Sequence, residues 1–314
     1  MHGRHGKDYS RECGGSDHKL NTSKRIDRWK TACLTPARDV TVMRTLLSLL
    51  FVVPVSFPAV VKEPDPLDIV RKSLEAIESD WKQAPNYSYV EREVQSKKEA
   101  QPTIKSYEVL MIEGSPYHRL IAVDDMPLSA GQQAEEDRKM REEIRKRQNE
   151  TDRETKKRMG KYVRERKREH DMIREMVDAF EFRLAGEETI HGHECWVLDT
   201  NPKPGYEPKD REARVLTGMR GRLWIDKNEY QWVKARAEVV KPVSFYGFLA
   251  KVGPGTNFVL ERQPITNNVW LPSHFSMRVS ASALGFLNED STDDETYRDY
   301  KPMSQTLAGL LATQ

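Results

Sequence analysis

The sequence predicts a mainly antiparallel β fold with helices (α+β), in which a curved sheet is closed partly by helices and interrupted by one long charged helical insertion. Three observations predict it. From Phe180 onward, run after run alternates apolar and polar residues: Val233, Ala235, Ala237 and Val239 on one side, Lys234, Arg236 and Glu238 on the other. Alternation of this kind marks a sheet with one wet and one apolar face, and eight to eleven such strands must curl to cover the apolar side. Before them stand one amphipathic helix and a block at about 128–178 dense in Glu, Lys and Arg.

The amino-terminal 61 residues are of a different kind. Residues 1–42 are polar and rich in Gly, His, Lys and Arg, and they read as a disordered upstream over-extension of a protein starting at Met43. Met43-Arg44-Thr45 and the apolar run to Val61, broken by Pro54 and Pro58, have the charge and length of a signal peptide over 43–61. The run is short for a membrane span of roughly 20 residues. The competing reading is an inner-membrane signal anchor, with the 9 Lys+Arg against 5 Asp+Glu of residues 1–42 on the cytoplasmic side. The body, 62–314, is expected to be periplasmic or secreted. Removing residues 1–61 takes 10 bases from 51 and 5 acids from 49, so the formal charge moves from +2 to −3. Cys13 and Cys33 leave too, and Cys195 alone can form no intramolecular disulfide.

Within the body, Asp65-Pro66 supply a cap and a first-turn proline. Leu67, Val70, Leu74, Ile77 and Trp81 then share one helical face, and Pro85 ends the helix. Asn86–Gln95, Ile104–Glu113 and Tyr117–Val123 predict a three-strand antiparallel meander. Residues 135–178 hold 16 bases and 13 acids in 44 positions. Between Met140 and Met172 only Ile144, Met159, Tyr162 and Val163 are large and apolar. This predicts a long solvated helix or a mobile hairpin, docking only at its end through Met172, Ile173, Met176, Val177 and Phe180. Near-balanced charge without interleaved aromatics argues against nucleic acid as its partner.

Further strands are predicted around Phe182–Leu184, at Glu194–Thr200, in a hairpin of Gly221–Asp226 with Tyr230–Lys241, in a second hairpin of Thr256–Arg262 with Asn268–Ser280, and briefly at Glu295–Tyr300. The acidic run Glu289–Glu295 lacks the spacing and glycine of a calcium loop and reads as a solvated turn.

For chemistry, His191-Gly192-His193-Glu194-Cys195 is the most enzyme-like stretch. On a strand, period two puts His191, His193 and Cys195 on one face, and imidazole with thiolate suits a soft metal. No second His or Cys cluster completes a tetrahedral site, so the favoured reading is a turn at Gly192 with a small buried Cys195, and no metal. Phosphate loops, nucleophile elbows, His-Glu-x-x-His and Gly-x-Gly-x-x-Gly motifs are absent. The sequence predicts neither an enzyme nor a cofactor.

The body resembles the LolA-like lipoprotein-carrier superfamily. The resemblance rests on the leader, the helix from Leu67 to Trp81, Tyr87-Ser88-Tyr89, the segments Cys195–Lys203 and Gly221–Asp226, Val269-Trp270-Leu271-Pro272 and Tyr297-Arg298-Asp299-Tyr300. It implies a partly open, barrel-like sheet with helices over its concave face, and a cavity that shelters acyl chains of lipids or lipoproteins. It also implies Tyr87, Tyr89, Trp224, Phe275 and Met277 as cavity or core residues. The insertion at 128–178 departs from the compact carriers and could bind an envelope protein partner or gate the cavity. The resemblance therefore implies a periplasmic lipid or lipoprotein binder of the cell envelope or, alternatively, an envelope interaction or sensory module without lipid cargo.

Overall fold

Helix α1, Pro66–Gln83, starts where the Asp65 carboxylate accepts the Leu67 amide proton at 3.0 Å, with Pro66 in its first turn. Ile69, Val70 and Ile77 are buried on its sheet side, as the helical spacing predicts. The computed structural model describes residues 63–97, 100–245, 250–266, 268–283 and 287–304, all within the unit Val60–Gln314. The stretches read from the sequence as an over-extension (1–42) and a signal peptide (43–61) lie outside them.

Strands β1 (Tyr87–Lys97), β2 (Thr103–Ile112), β3 (Ser115–Val123) and the short β4 (Met126–Pro127) form the expected meander. Two helices follow, α2 (Ala130–Gln148) and α3 (Asp152–Ala179). After them come β5 (Phe180–Ile190), β6 (His193–Pro202), β7 (Met219–Asp226) and β8 (Trp232–Val239), then β9 (Val243–Phe245) and β10 (Ala250–Val252). The last three are β11 (Asn257–Thr266), β12 (Val269–Ala283) and β13 (Leu287–Pro302). Every pairing is antiparallel, and the main path runs β4-β3-β2-β1-β13-β12-β11-β8-β7-β6-β5. The sheet is curved and unclosed, with β4 and β5 at its two ends.

Register gives the sheet an inner face. One cross-strand row runs Leu184, Leu198, Leu223, Ala235, Leu260, Phe275, Glu295, Glu93, Lys105 from β5 to β2. Directly opposed residues share a face. The row is apolar as far as β12 and charged from β13 onward. Helix α1 and the end of α3 cover its apolar half. There Ile69, Val70 and Ile77, with Ile173, Met176 and Val177, pack on Leu198, Leu223, Ile225, Trp232 and Ala235.

Three expectations are corrected, and the structure adds the placement of α2. The charged insertion is two docked helices, each opened by a capping box, Ser129 with Gln132 and Thr151 with Glu154. Its middle docks by charge as well as by apolar contact. Arg147 donates to the carbonyls of Ile112 and Ser115 at 2.8 and 2.9 Å, and Arg158 to that of Glu113 at 2.8 Å. Helix α2 lies against the outer face, because Met140 and Ile144 pack on Leu110, Ile112 and Tyr117, which alternate with inward Tyr107 and Val109. Second, Val233 does not share the face of Ala235. Trp224 opposes Lys234 while Ile225 opposes Trp232, so Val233 is a bulge residue and joins the cluster of Cys195, Val197, Trp224 and Trp270. Third, the run Glu289–Glu295 is no turn but part of β13, paired along its length with β12 and from Ser291 onward with β1 as well. That ladder outweighs the low strand preference of acidic residues.

Candidate functional site

Between α1, α3 and the inner face lies a cavity of about 420 Å³. Helix α1 contributes Ile77, Asp80 and Trp81 to it, with Ala84 just beyond its end, and α3 contributes Arg166, Glu169 and Ile173. The sheet contributes Tyr89, Trp232, Leu260, Arg262, Leu271, Pro272, Tyr297 and Tyr300. The size is that of a small-molecule site, and the wall is mainly apolar and aromatic with a few placed polar groups.

Three tyrosines from adjacent strands make one wall. Tyr89 meets Tyr297 edge-on at 5.9 Å and Tyr300 at 5.3 Å between ring centres. The Tyr300 hydroxyl donates to the Pro272 carbonyl at 2.8 Å, and that of Tyr297 to Glu295. Burial raises all three phenols well above the usual tyrosine range, so they stay neutral. At the roof, the Arg166 guanidinium stacks 4.5 Å from the Trp81 ring and donates to the Trp81 carbonyl. His170 stacks on Trp81 at 4.7 Å, and its Nε2 lies 2.6 Å from Glu78.

The charged groups at the back are satisfied within the fold. Arg262 donates to Asp80 at 2.7 Å, to Gln231 at 3.0 Å and to the Trp270 carbonyl at 2.5 Å. Burial pushes the Asp80 carboxyl upward, and the adjacent guanidinium opposes that rise. Next to the cavity, beyond its lining, the inner face of β1 and β13 is acidic. Burial, with Glu295 and Glu93 nearby, pushes Glu91 up to about 7; burial also raises Glu295 and, on α3, Glu169. His118 Nε2 stands 3.7 Å from Glu91.

Of the residues that the sequence resemblance suggested, the structure places Tyr89 in the cavity wall. Phe275 and Met277 are half-buried on the same inner face, opposite Leu260 and Phe258, but outside the wall. Tyr87 is half-buried at the start of β1 and is likewise outside it. Trp224 faces the other way. It alternates with Leu223 and Ile225, and its indole donates to Glu188 at 2.8 Å in the outer cluster with Cys195.

The metal candidates do not gather. His191 lies in the β5–β6 turn at φ 50° with a mostly exposed ring, while His193 meets Trp270 edge-on, 4.7 Å between ring centres. Cys195 is fully buried and donates to the His193 carbonyl at 3.4 Å. Among the described residues no group of three or more His, Cys, Asp or Glu side chains is disposed to hold a metal ion. Arg262, Tyr297, Tyr300 and Trp81 were not picked out from sequence as site residues. Tyr297 and Tyr300 bear a signal only in hindsight: they border a bulge, marked by positive φ at Asp299, that turns both rings toward Tyr89.

Fold and site together define an unclosed antiparallel sheet with an apolar cavity under two helices. No family model matches the chain and no curated protein matches it. Among solved structures it is similar to a LolA-superfamily protein from Nitrosomonas europaea, with 11% identity and a TM-score of 0.31 over 76% of this chain and 94% of that one. It is similar also to an outer-membrane lipoprotein-sorting protein domain from Vibrio parahaemolyticus (11%, TM-score 0.30, 74% and 92% covered). A third likeness is to the MucA/MucB complex of Pseudomonas aeruginosa, at 9% identity and a TM-score of 0.21, covering 76% and 99%. Among the described residues no helix is long and apolar enough to cross a membrane.

Proposed function

We propose that this protein is a periplasmic, carrier-like binder of the cell envelope that holds the apolar part of a lipid or acylated lipoprotein. The observation that carries this reading is the cavity of about 420 Å³ between α1, α3 and the sheet. Its wall offers apolar and aromatic surface, and its buried charges are already paired. Such a wall stabilises a bound chain by removing apolar area from water, at roughly 25 cal/mol per Å², without a reacting group. Tyr89, Leu260, Ile173 and Tyr297 are the binding residues proposed.

The test is mass spectrometry of lipids that co-purify with the protein, together with binding of a fluorescent acyl probe. The wild type is expected to carry lipid and bind the probe. Leu260→Trp, which fills the cavity, should bind at least about tenfold more weakly. An empty wild-type cavity that refuses the probe would overturn the reading. In that case a partner captured through the α2–α3 hairpin would favour an interaction module on the same fold.

A further inference from the structure

The near-balance of charge over residues 135–178 conceals a strong local imbalance. Residues 153–168 hold nine bases, from Arg153 to Arg168, and two acids, Glu154 and Glu165. Seven of the nine, Arg153, Lys156, Lys157, Lys161, Arg164, Lys167 and Arg168, recur at spacings of three and four and are all exposed. They form one stripe along α3, about 22 Å long at 1.5 Å per residue. Lys161 pairs with Glu165 at 3.8 Å and Lys167 with Asp171. The other five take part in no ion pair among the described residues, although Asp210 and Glu212 share a surface recess with Arg164 and Arg168 at the far end.

The stripe cannot roll inward, because the opposite side of α3 is engaged. Arg158 bonds the Glu113 carbonyl, Met159 packs at Gly114, and Arg166 bonds the Trp81 carbonyl. In the middle of the stripe Val163 is 54% exposed, one of two strongly exposed large apolar side chains among the described residues.

We propose that this face of α3 docks the protein on an anionic phospholipid surface. A row of exposed cations, five of the seven outside any ion pair among the described residues, meets a plane of phosphate headgroups, each Lys or Arg adding to the attraction. Val163 enters the interface, where an apolar side chain is favoured. A nucleic-acid backbone would use the cations but not the valine, and the stripe carries no aromatic ring on which a base could stack. The surface is separate from the cavity and does not depend on what the cavity holds.

The experiment is flotation of the purified protein with vesicles of phosphatidylcholine alone, or of phosphatidylcholine with about a quarter phosphatidylglycerol. The wild type should float with the anionic vesicles only, less so at high salt. Lys156→Glu, Lys157→Glu, Arg164→Glu and Arg168→Glu together should lower the partition at least ~100-fold, with unchanged circular dichroism. Arg141→Glu with Arg145→Glu, exposed on α2, should leave it unaltered. Leu260→Trp, which closes the cavity, should also float like the wild type; loss of flotation there would assign the lipid contact to the cavity and overturn the proposal. Equal flotation with both vesicle types would overturn it, as would a quadruple variant that floats normally. So would binding of a single-stranded oligonucleotide by a protein that ignores both vesicles.

Discussion

Asp80 of α1 and Arg262 of β11 form a buried ion pair at 2.7 Å, and the second Asp80 oxygen accepts the Trp270 amide proton at 3.1 Å. One carboxylate thus fixes the helix to two strands at the back of the cavity. Removing one partner strands a charge. Asp80→Ala is expected to cost about 3–5 kcal/mol, read from the urea midpoint. The double change Asp80→Leu with Arg262→Met should restore much of that loss, since no unpaired charge remains. A double variant as unstable as the single one would show that the pair contributes more than compensation of its own burial.

The acidic stretch of the inner face beside the cavity sets a pH dependence. Glu91 has its folded pKa raised from 4.5 to about 7, so the native state holds its proton where the unfolded chain has lost it. Its contribution therefore favours the fold below about 4.5 and is lost as pH rises toward 7, a change of about 3 kcal/mol. Glu91→Gln should flatten that part of the stability curve, measured by denaturant titration between pH 4 and 8. A slope equal to that of the wild type would refute the assignment.

The hairpin is held at the β2–β3 turn by two arginines. Arg147→Ala with Arg158→Ala leaves the carbonyls of Ile112, Glu113 and Ser115 without those donors. Each charged hydrogen bond is worth roughly 1.5–3 kcal/mol. Amide hydrogen exchange in α2 and the first turns of α3 should quicken, while α1 keeps its protection. Unchanged exchange would mean that Met140 and Ile144 suffice to dock the hairpin.

Cys195 is fully buried, and burial lifts its thiol to about 11. In a Cys13→Ser, Cys33→Ser background it should resist alkylation in the native protein and react only at the rate of unfolding. Rapid native labelling at neutral pH would place the thiol in a different environment.

Helix α1 and the meander were legible because their residues follow a single local period. Leu67, Val70, Leu74, Ile77 and Trp81 announce a helix by themselves, whereas Val233 and Trp224 depend on a bulge and on which face a neighbour covers. The acidic first half of β13, Glu289–Glu295, reads as a turn because strand preference is contextual. Its ladder partners are β1, some two hundred residues earlier in the chain, and β12. The cavity was the least visible. Tyr89, Leu260 and Arg262 are far apart in sequence, and only the register of four strands brings them together. Arg262 inside a wall of apolar residues has no sequence signature, since its partner Asp80 lies on a helix whose other buried positions are mainly apolar.

The pairing of β1 with β13, Tyr87 opposite Pro302, has a consequence for how the chain is made. The meander β1–β3 and the block β5–β8 are each built of neighbours in sequence, but nothing joins their sheets until the last strands arrive. A chain emerging amino-terminus first therefore carries the bare edge of β1 until β13 is released. Long-range closures of this kind are slow, and bare edges invite pairing with other chains. Loss of β13, Leu287–Pro302, would leave two open edges inside the sheet, on β1 and β12, and truncations before it should yield aggregates rather than a smaller folded domain.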